Sequence, residues 1–220
     1  PDVRRMLMMM RANIEAMRGL LYRNALALDL ARYLEDEEAR TQEESLAAIL
    51  TPISKAWATD LGVELTSLGI QIHGGSGYIE ETGVAQFWRD SRIAPIYEGT
   101  NGIQAQDLAM RRIPLEGGNA IRRLFETVLA DAASLDGDLK PIGERLTGAA
   151  ESSAQVAMTF GGGLAEGRYN DVLAGATPFL KMMGDTLGGW IHARAARAAV
   201  AEPAGYDPEF LADRIASAAF

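Results

Sequence analysis

Apolar residues three or four positions apart recur along this sequence, and strand-like alternation is not indicated. That rhythm confines the chain to an all-α fold. Leu7, Met10, Ile14, Met17, Leu21, Ala25 and Leu28 fall on one stripe of a long first helix, which predicts that this stripe faces the core. The acidic run at residues 35–38 interrupts the pattern, and Thr41 with Glu44 fits a capping box at a new helix start. Thr51-Pro52 reads as a further start, because threonine caps and proline fits the first helical turn. Behind it Ile53, Trp57, Leu61, Leu65, Leu68 and Ile72 share a face, and Gly74-Gly75 ends the helix.

A short helix around residues 80–89, a turn near Pro95 and a helix from about 100 to 112 are expected next. Pro114 with Gly117-Gly118 combines a helix stop with two flexible residues, so 113–118 reads as a linker between a helical bundle at 1–112 and a second helical domain at 119–220. Beyond it, helices are predicted around 120–134, 142–160, 169–201 and from 208 onward. Gly161-Gly162-Gly163 is expected to be a flexible connection, since no strand precedes it and no Lys-Ser/Thr follows to make a phosphate loop.

Composition removes several classes of function. With 30 acidic and 21 basic residues the net charge is −9, so the average surface repels a nucleic-acid backbone. Cysteine is absent, which excludes disulfides and thiolate chemistry and is compatible with a reducing compartment; the expected location is cytoplasmic. His73 and His192 are the two imidazoles, too few for a histidine metal cluster, and no metal site is expected. No apolar run approaches the ~20 residues of a membrane span. The sequence opens at Pro1 and closes at Phe220 inside helical patterns, so a piece of a longer protein is the expectation.

Three short motifs carry the chemistry: residues 71–78 (Gln-Ile-His-Gly-Gly-Ser-Gly-Tyr), 89–93 (Arg-Asp-Ser-Arg-Ile) and 96–104 (Ile-Tyr-Glu-Gly-Thr-Asn-Gly-Ile-Gln). Their order and spacing resemble the carboxyl-terminal region of the acyl-CoA dehydrogenase flavoenzymes, most strongly over residues 1–112. The resemblance implies abstraction of an α-proton from an acyl-CoA thioester and hydride transfer from the β-carbon to FAD, giving a trans-enoyl-CoA. Glu98, in Tyr-Glu-Gly-Thr, is then the catalytic base. A dry site would raise its pKa toward that of a weak carbon acid. The family polarises the thioester carbonyl with the amide of this glutamate and a ribityl hydroxyl, and one such donor is worth about 3 kcal/mol.

By the same resemblance Tyr97 and Gly99 flank the substrate, Thr100 lies near the flavin, and Gln104 is a weaker cofactor candidate. Gln71, Gly74 and Gly75 meet the adenine end of FAD held by a neighbouring subunit. Gly102 departs from the family's usual polar residue, which removes one FAD contact. Each position also has a plainer reading: a helix-entry acid at Glu98, a packed aromatic at Tyr97, a helix-start glycine at Gly99, a cap at Thr100, a helix-stop diglycine at 74–75. His73 reads as packing or a local hydrogen bond. Arg89, Asp90 and Arg92 read as structural ion pairs, and Met8, Met9, Met182 and Met183 as core contacts.

The family's amino-terminal helical domain, its middle β-domain and its Arg-x-x-Phe-Gly motif are absent from this sequence, so the chain alone is expected to be inactive and to bind FAD poorly. Residues 119–220 resemble the larger subgroup with an appended helical domain, which includes 3-methylmercaptopropionyl-CoA dehydrogenases and some long-chain enzymes. That region carries no recognisable catalytic motif, and an oligomerisation or packing role is expected. A homodimer or homotetramer and electron-transferring flavoprotein are the implied partners. Two alternatives stand beside the enzyme: a non-catalytic oligomerisation module, and a DNA-associated alkylation-response relative, against which the acidic charge argues.

Overall fold

The computed structural model describes residues 1–201 and 204–220, and among these it contains nine α-helices and no strand. They are α1 (Asp2–Tyr33), α2 (Glu37–His73), α3 (Gly75–Tyr78), α4 (Val84–Ser91), α5 (Asn101–Asp107), α6 (Asn119–Ala133), α7 (Lys140–Ala165), α8 (Tyr169–Ala201) and α9 (Pro208–Ala219). No helix among the described residues is long and apolar enough to cross a membrane.

Helices α1 and α2 form an antiparallel pair, in which Arg23 forks onto Glu43 with both contacts at 3.0 Å and Asn24 reaches Thr51. Helices α7 and α8 form a second such pair. Ser153 and Thr186 share a buried hydrogen bond of 2.9 Å, and the rings of Phe160 and Phe179 sit 5.1 Å apart. Helix α8 then packs across α1, α2 and α5, and α9 packs against α8 and α1. One apolar core results. It runs from Leu20, Ile53, Trp57 and Leu108 through Leu124 to Phe179 and Leu187.

The expected inward face of α2 holds, since Ile53, Trp57, Leu61 and Leu65 are buried, with Leu68 and Ile72 half-buried. The expected face of α1 does not. Leu7, Ile14, Leu21 and Leu28 are between 39% and 55% exposed, while Met6, Ala12, Ala16, Leu20 and Ala27 are buried. This helix carries two apolar stripes, and the one rich in alanine faces the neighbours because small side chains permit close approach. A Cβ added at Gly19 would overlap the side chain of Ile191.

Three local readings are corrected. Helix α2 begins at Glu37, capped by Asp36, whose side chain accepts from the Ala39 amide at 2.7 Å; Thr41 lies inside the helix and donates to Glu37 O. Pro52 lies inside the same helix, although an interior proline removes a hydrogen bond and costs about 3 kcal/mol. Burial of its neighbours Ile49, Leu50 and Ile53 offsets that cost, and the Thr51 hydroxyl donates to Ala47 O at 2.7 Å. Gly161, Gly162 and Gly163 continue α7 rather than breaking it. A Cβ at Gly163 would stand 3.0 Å from Val172, so the missing side chain lets α8 start close by, and the chain turns instead at Gly167, where φ is +74°.

After α5 the backbone passes through a π-helical turn, Leu108–Arg112, and a 3-10 turn, Leu115–Gly118. Glu116, Gly117 and Gly118 all have positive φ there. Glu116 accepts hydrogen bonds from Ser45 and Arg123, which hold its carboxyl below the usual carboxylate range, with the Ser45 bond contributing most. The segment read as a linker is thus tied to α2 and α6.

Candidate active site

Residues 93–104 leave α4 as a series of turns and re-enter a helix at α5. Ile93 O accepts from the amides of Ile96 and Tyr97, and Pro95 O accepts from the Asn101 amide at 3.0 Å, which closes the segment into a loop. Thr100 caps α5, its hydroxyl oxygen accepting from the Ile103 amide at 3.3 Å. Glu98 stands at the tip with φ +53°, followed by Gly99 with φ +83°. A non-glycine residue in this left-handed region costs about 1–2 kcal/mol, so the turn must be held from elsewhere. Gln104 contributes on one side, with its Nε2 3.5 Å from Glu98 O.

The main anchor is Asn101. Its Nδ2 donates to Asp60 Oδ1 at 2.7 Å and to Thr59 Oγ1 at 2.9 Å, with Ala56 O at 3.1 Å. Its Oδ1 accepts from Lys55 Nζ at 2.8 Å. All four partners belong to α2, so one side chain clamps the base of the Glu98 loop to the longest helix. Motif matching assigned Asn101 no role. A signal was present: Lys55, Thr59 and Asp60 form a polar strip on a helix whose neighbouring turns are apolar.

The structure brings Tyr97, Glu98, Gly99, Thr100 and Gln104 together on this one turn. Tyr97 and Glu98 are exposed, and this chain by itself does not bury the Glu98 carboxylate. No acceptor among the described residues takes the amides of Glu98, Gly99 or Thr100. Behind the turn, between α2, α5 and α8, lies a cavity of about 420 Å³ lined by residues including Trp57, Asp60, Pro95, Asn101 and Leu180.

Gln71, Gly74 and Gly75 form a separate group at the end of α2, all exposed, and no hydrogen bond among the described residues joins them to the Glu98 turn. Gly74 ends α2 with φ +60°, its amide donating to Gln71 O at 3.1 Å, as the diglycine stop predicts. His73 makes the expected local hydrogen bond, Nδ1 lying 2.8 Å from Gly69 O. Arg89 pairs with Glu80 at 3.7 Å. Asp90 instead accepts from Gln86, and Arg92 makes no ion pair among the described residues and borders the cavity behind the turn. Met183 is fully buried, while Met8, Met9 and Met182 are half-buried. The described residues hold no cluster of three side chains able to ligate a metal.

The chain is an all-helical bundle that presents a carboxylate on a clamped turn, and its class is given by two family models. Residues 1–113 match the family model described as acyl-CoA dehydrogenase, C-terminal domain, and residues 121–220 match that described as acetyl-CoA dehydrogenase C-terminal like. The chain belongs to the acyl-CoA dehydrogenase family.

Over 99% of its length it is 45% identical to 3-methylmercaptopropionyl-CoA dehydrogenase of Ruegeria pomeroyi, of which it covers 37%. It is 28% identical over its whole length to the broad-specificity linear acyl-CoA dehydrogenase FadE5 of Mycobacterium tuberculosis, covering 38% of that protein. Thus the chain spans little more than a third of these relatives. Among solved structures, Caenorhabditis elegans ACDH-11 in complex with C11-CoA superposes with a TM-score of 0.74 at 21% identity, over 94% of this chain and 34% of that one. Acyl-CoA dehydrogenase complexed with FAD from Bacillus anthracis superposes with a TM-score of 0.64 at 20% identity, over 100% of this chain and 40% of that one. At those identities the likeness is one of fold.

Proposed function

We propose that the protein containing this chain is a flavin-dependent acyl-CoA dehydrogenase in which Glu98 removes the α-proton of an acyl-CoA thioester. The observation that carries this reading is the clamped turn: a carboxylate at its tip, in a strained backbone conformation, beside amides that have no acceptor among the described residues. Strain of this kind persists where surrounding structure enforces it, and such positions cluster at functional sites.

In the reaction the α C–H bond breaks with its proton moving to a Glu98 carboxylate oxygen. Bound FAD supplies the hydride acceptor for the β-carbon, and the two departures leave a trans Cα=Cβ bond. The Glu98 amide donates to the thioester carbonyl as negative charge develops on its oxygen, a contribution of about 3 kcal/mol. Tyr97 and Gly99 flank the thioester. The residues present fit a flavin nucleotide in two places. The Thr100 hydroxyl accepts from the Ile103 amide and keeps its own proton to donate, and the exposed Gln71 carboxamide stands beside Gly74 and Gly75, where the backbone is open to a ligand. Gln104 supports the turn through Glu98 O.

The same reading makes the protein a cytoplasmic homodimer or homotetramer that passes electrons to electron-transferring flavoprotein, with Gln71, Gly74 and Gly75 serving the cofactor of a neighbouring subunit. It also makes this chain inactive by itself, because Glu98 is open to water. The test is Glu98→Gln in the full-length protein, mixed anaerobically with acyl-CoA. Flavin bleaching should slow by about 10²–10⁴-fold with FAD still bound, and an unchanged bleaching rate rejects the assignment.

A further inference from the structure

We propose that Asn101 is a positioning residue for the reaction, fixing the Glu98 turn against α2 through a donor–acceptor relay with Lys55 and Asp60. The proposal rests on the reading of Glu98 as the base and adds to it the device that aims that base. Lys55 can only donate and ionised Asp60 can only accept, so the two charges on either side set the Asn101 carboxamide in one orientation, Oδ1 toward Lys55 and Nδ2 toward Asp60. The backbone of the same residue donates to Pro95 O, so Asn101 closes the loop and fastens it at a single point. Two residues separate it from Glu98, and the intervening Thr100 is itself fixed as the cap of α5.

Aspartate, nearly the same shape, cannot take this place. It would set a carboxylate against Asp60, where the asparagine Nδ2 now lies 2.7 Å away, and would have no donor for Asp60 or for Ala56 O. The Asp60 side of the clamp would then be forced apart and the turn shifted on α2, with the Lys55 contact kept and Glu98 and the substrate contacts chemically intact. A displacement near 1 Å of a catalytic group typically costs about 100-fold in rate, so the effect belongs on the chemical step rather than on binding.

The test compares Asn101→Asp, Asp60→Asn and the double variant in the full-length flavoenzyme, measuring single-turnover flavin reduction by acyl-CoA, acyl-CoA affinity from the flavin spectral shift, and thermal unfolding. Asn101→Asp should slow reduction by about 100-fold with affinity retained. The double variant exchanges the two groups, so that a carboxamide on α2 donates to a carboxylate at the start of α5 while Lys55 still donates from the other side, and it should recover most of that loss. A wild-type rate in Asn101→Asp, or a folded double variant no faster than the single one, overturns the proposal. If Asn101→Asp does not accumulate as folded holoenzyme, Asn101→Ala, which removes the relay without adding a charge, should show the same slow reduction, and a wild-type rate there overturns the proposal equally. Glu98→Gln run in parallel separates the two claims: full activity in Glu98→Gln removes the base itself, whereas inactive Glu98→Gln beside fully active Asn101 variants removes the relay alone.

Discussion

Glu98 and Glu116 share a backbone conformation that glutamate rarely adopts, and their surroundings differ. Glu98 points into water at the tip of its turn, while Glu116 is fastened by Ser45 and Arg123. Because those bonds lower the folded pKa of Glu116 below its unfolded value, the stability they add is present above the ordinary glutamate pKa of about 4.3 and is lost as pH falls through the folded value. Glu116→Gln should therefore lower stability at pH 7 by about 1 kcal/mol, and the gap from wild type should close in acid, as thermal unfolding across pH 3 to 7 would read. Glu98 was legible as a candidate from its motif, because Tyr-Glu-Gly-Thr sits at a characteristic distance from the preceding diglycine. Asn101 was not, since its partners lie over 40 positions earlier and only folding brings the polar strip of α2 against the start of α5.

Helix positions were readable from periodicity, and the errors came where one local rule has two physical outcomes. Proline suits a first helical turn, yet Pro52 is tolerated inside α2 because apolar burial on both sides outweighs the lost hydrogen bond. Glycine breaks helices, yet in α7 and α8 it marks close approach. The sharpest instance is Trp57 of α2, which lies across Gly184 and Gly188 of α8 while its Nε1 donates to Asp185 at 2.9 Å. A Cβ at Gly184 would overlap the indole, and one at Gly188 would come within 2.8 Å of it. Gly184→Ala should thus destabilise the chain by about 1–3 kcal/mol through overpacking. Gly62→Ala, also within a helix but with nothing within 4 Å of the new Cβ, should stabilise it by about 0.5–1 kcal/mol. Urea unfolding monitored by tryptophan fluorescence would read both, and equal effects of the same sign would contradict the packing account.

Among the described residues one apolar core spans both sides of the turn at residues 115–118, with α8 packed against α1, α2 and α5 as well as against α6 and α7. Helix α8 also forms one wall of the cavity behind the Glu98 turn, which gives residues 119–220 a structural route to the site without any catalytic group of their own. Unfolding should accordingly be a single transition in which substitutions in α2 and α8 shift the same midpoint, and calorimetry resolving two independent transitions would contradict it. Periodicity alone could not foresee this continuity, because it assigns an inward face without saying which neighbour lies there.

The same ambiguity left α1 with a second row of large aliphatic side chains, Leu7, Ile14, Leu21 and Leu28, spaced seven residues apart along its outer side. Such a row is a seam without its counterpart. In a test tube it makes colloidal behaviour, more than loss of structure, the property that limits how concentrated this chain can become.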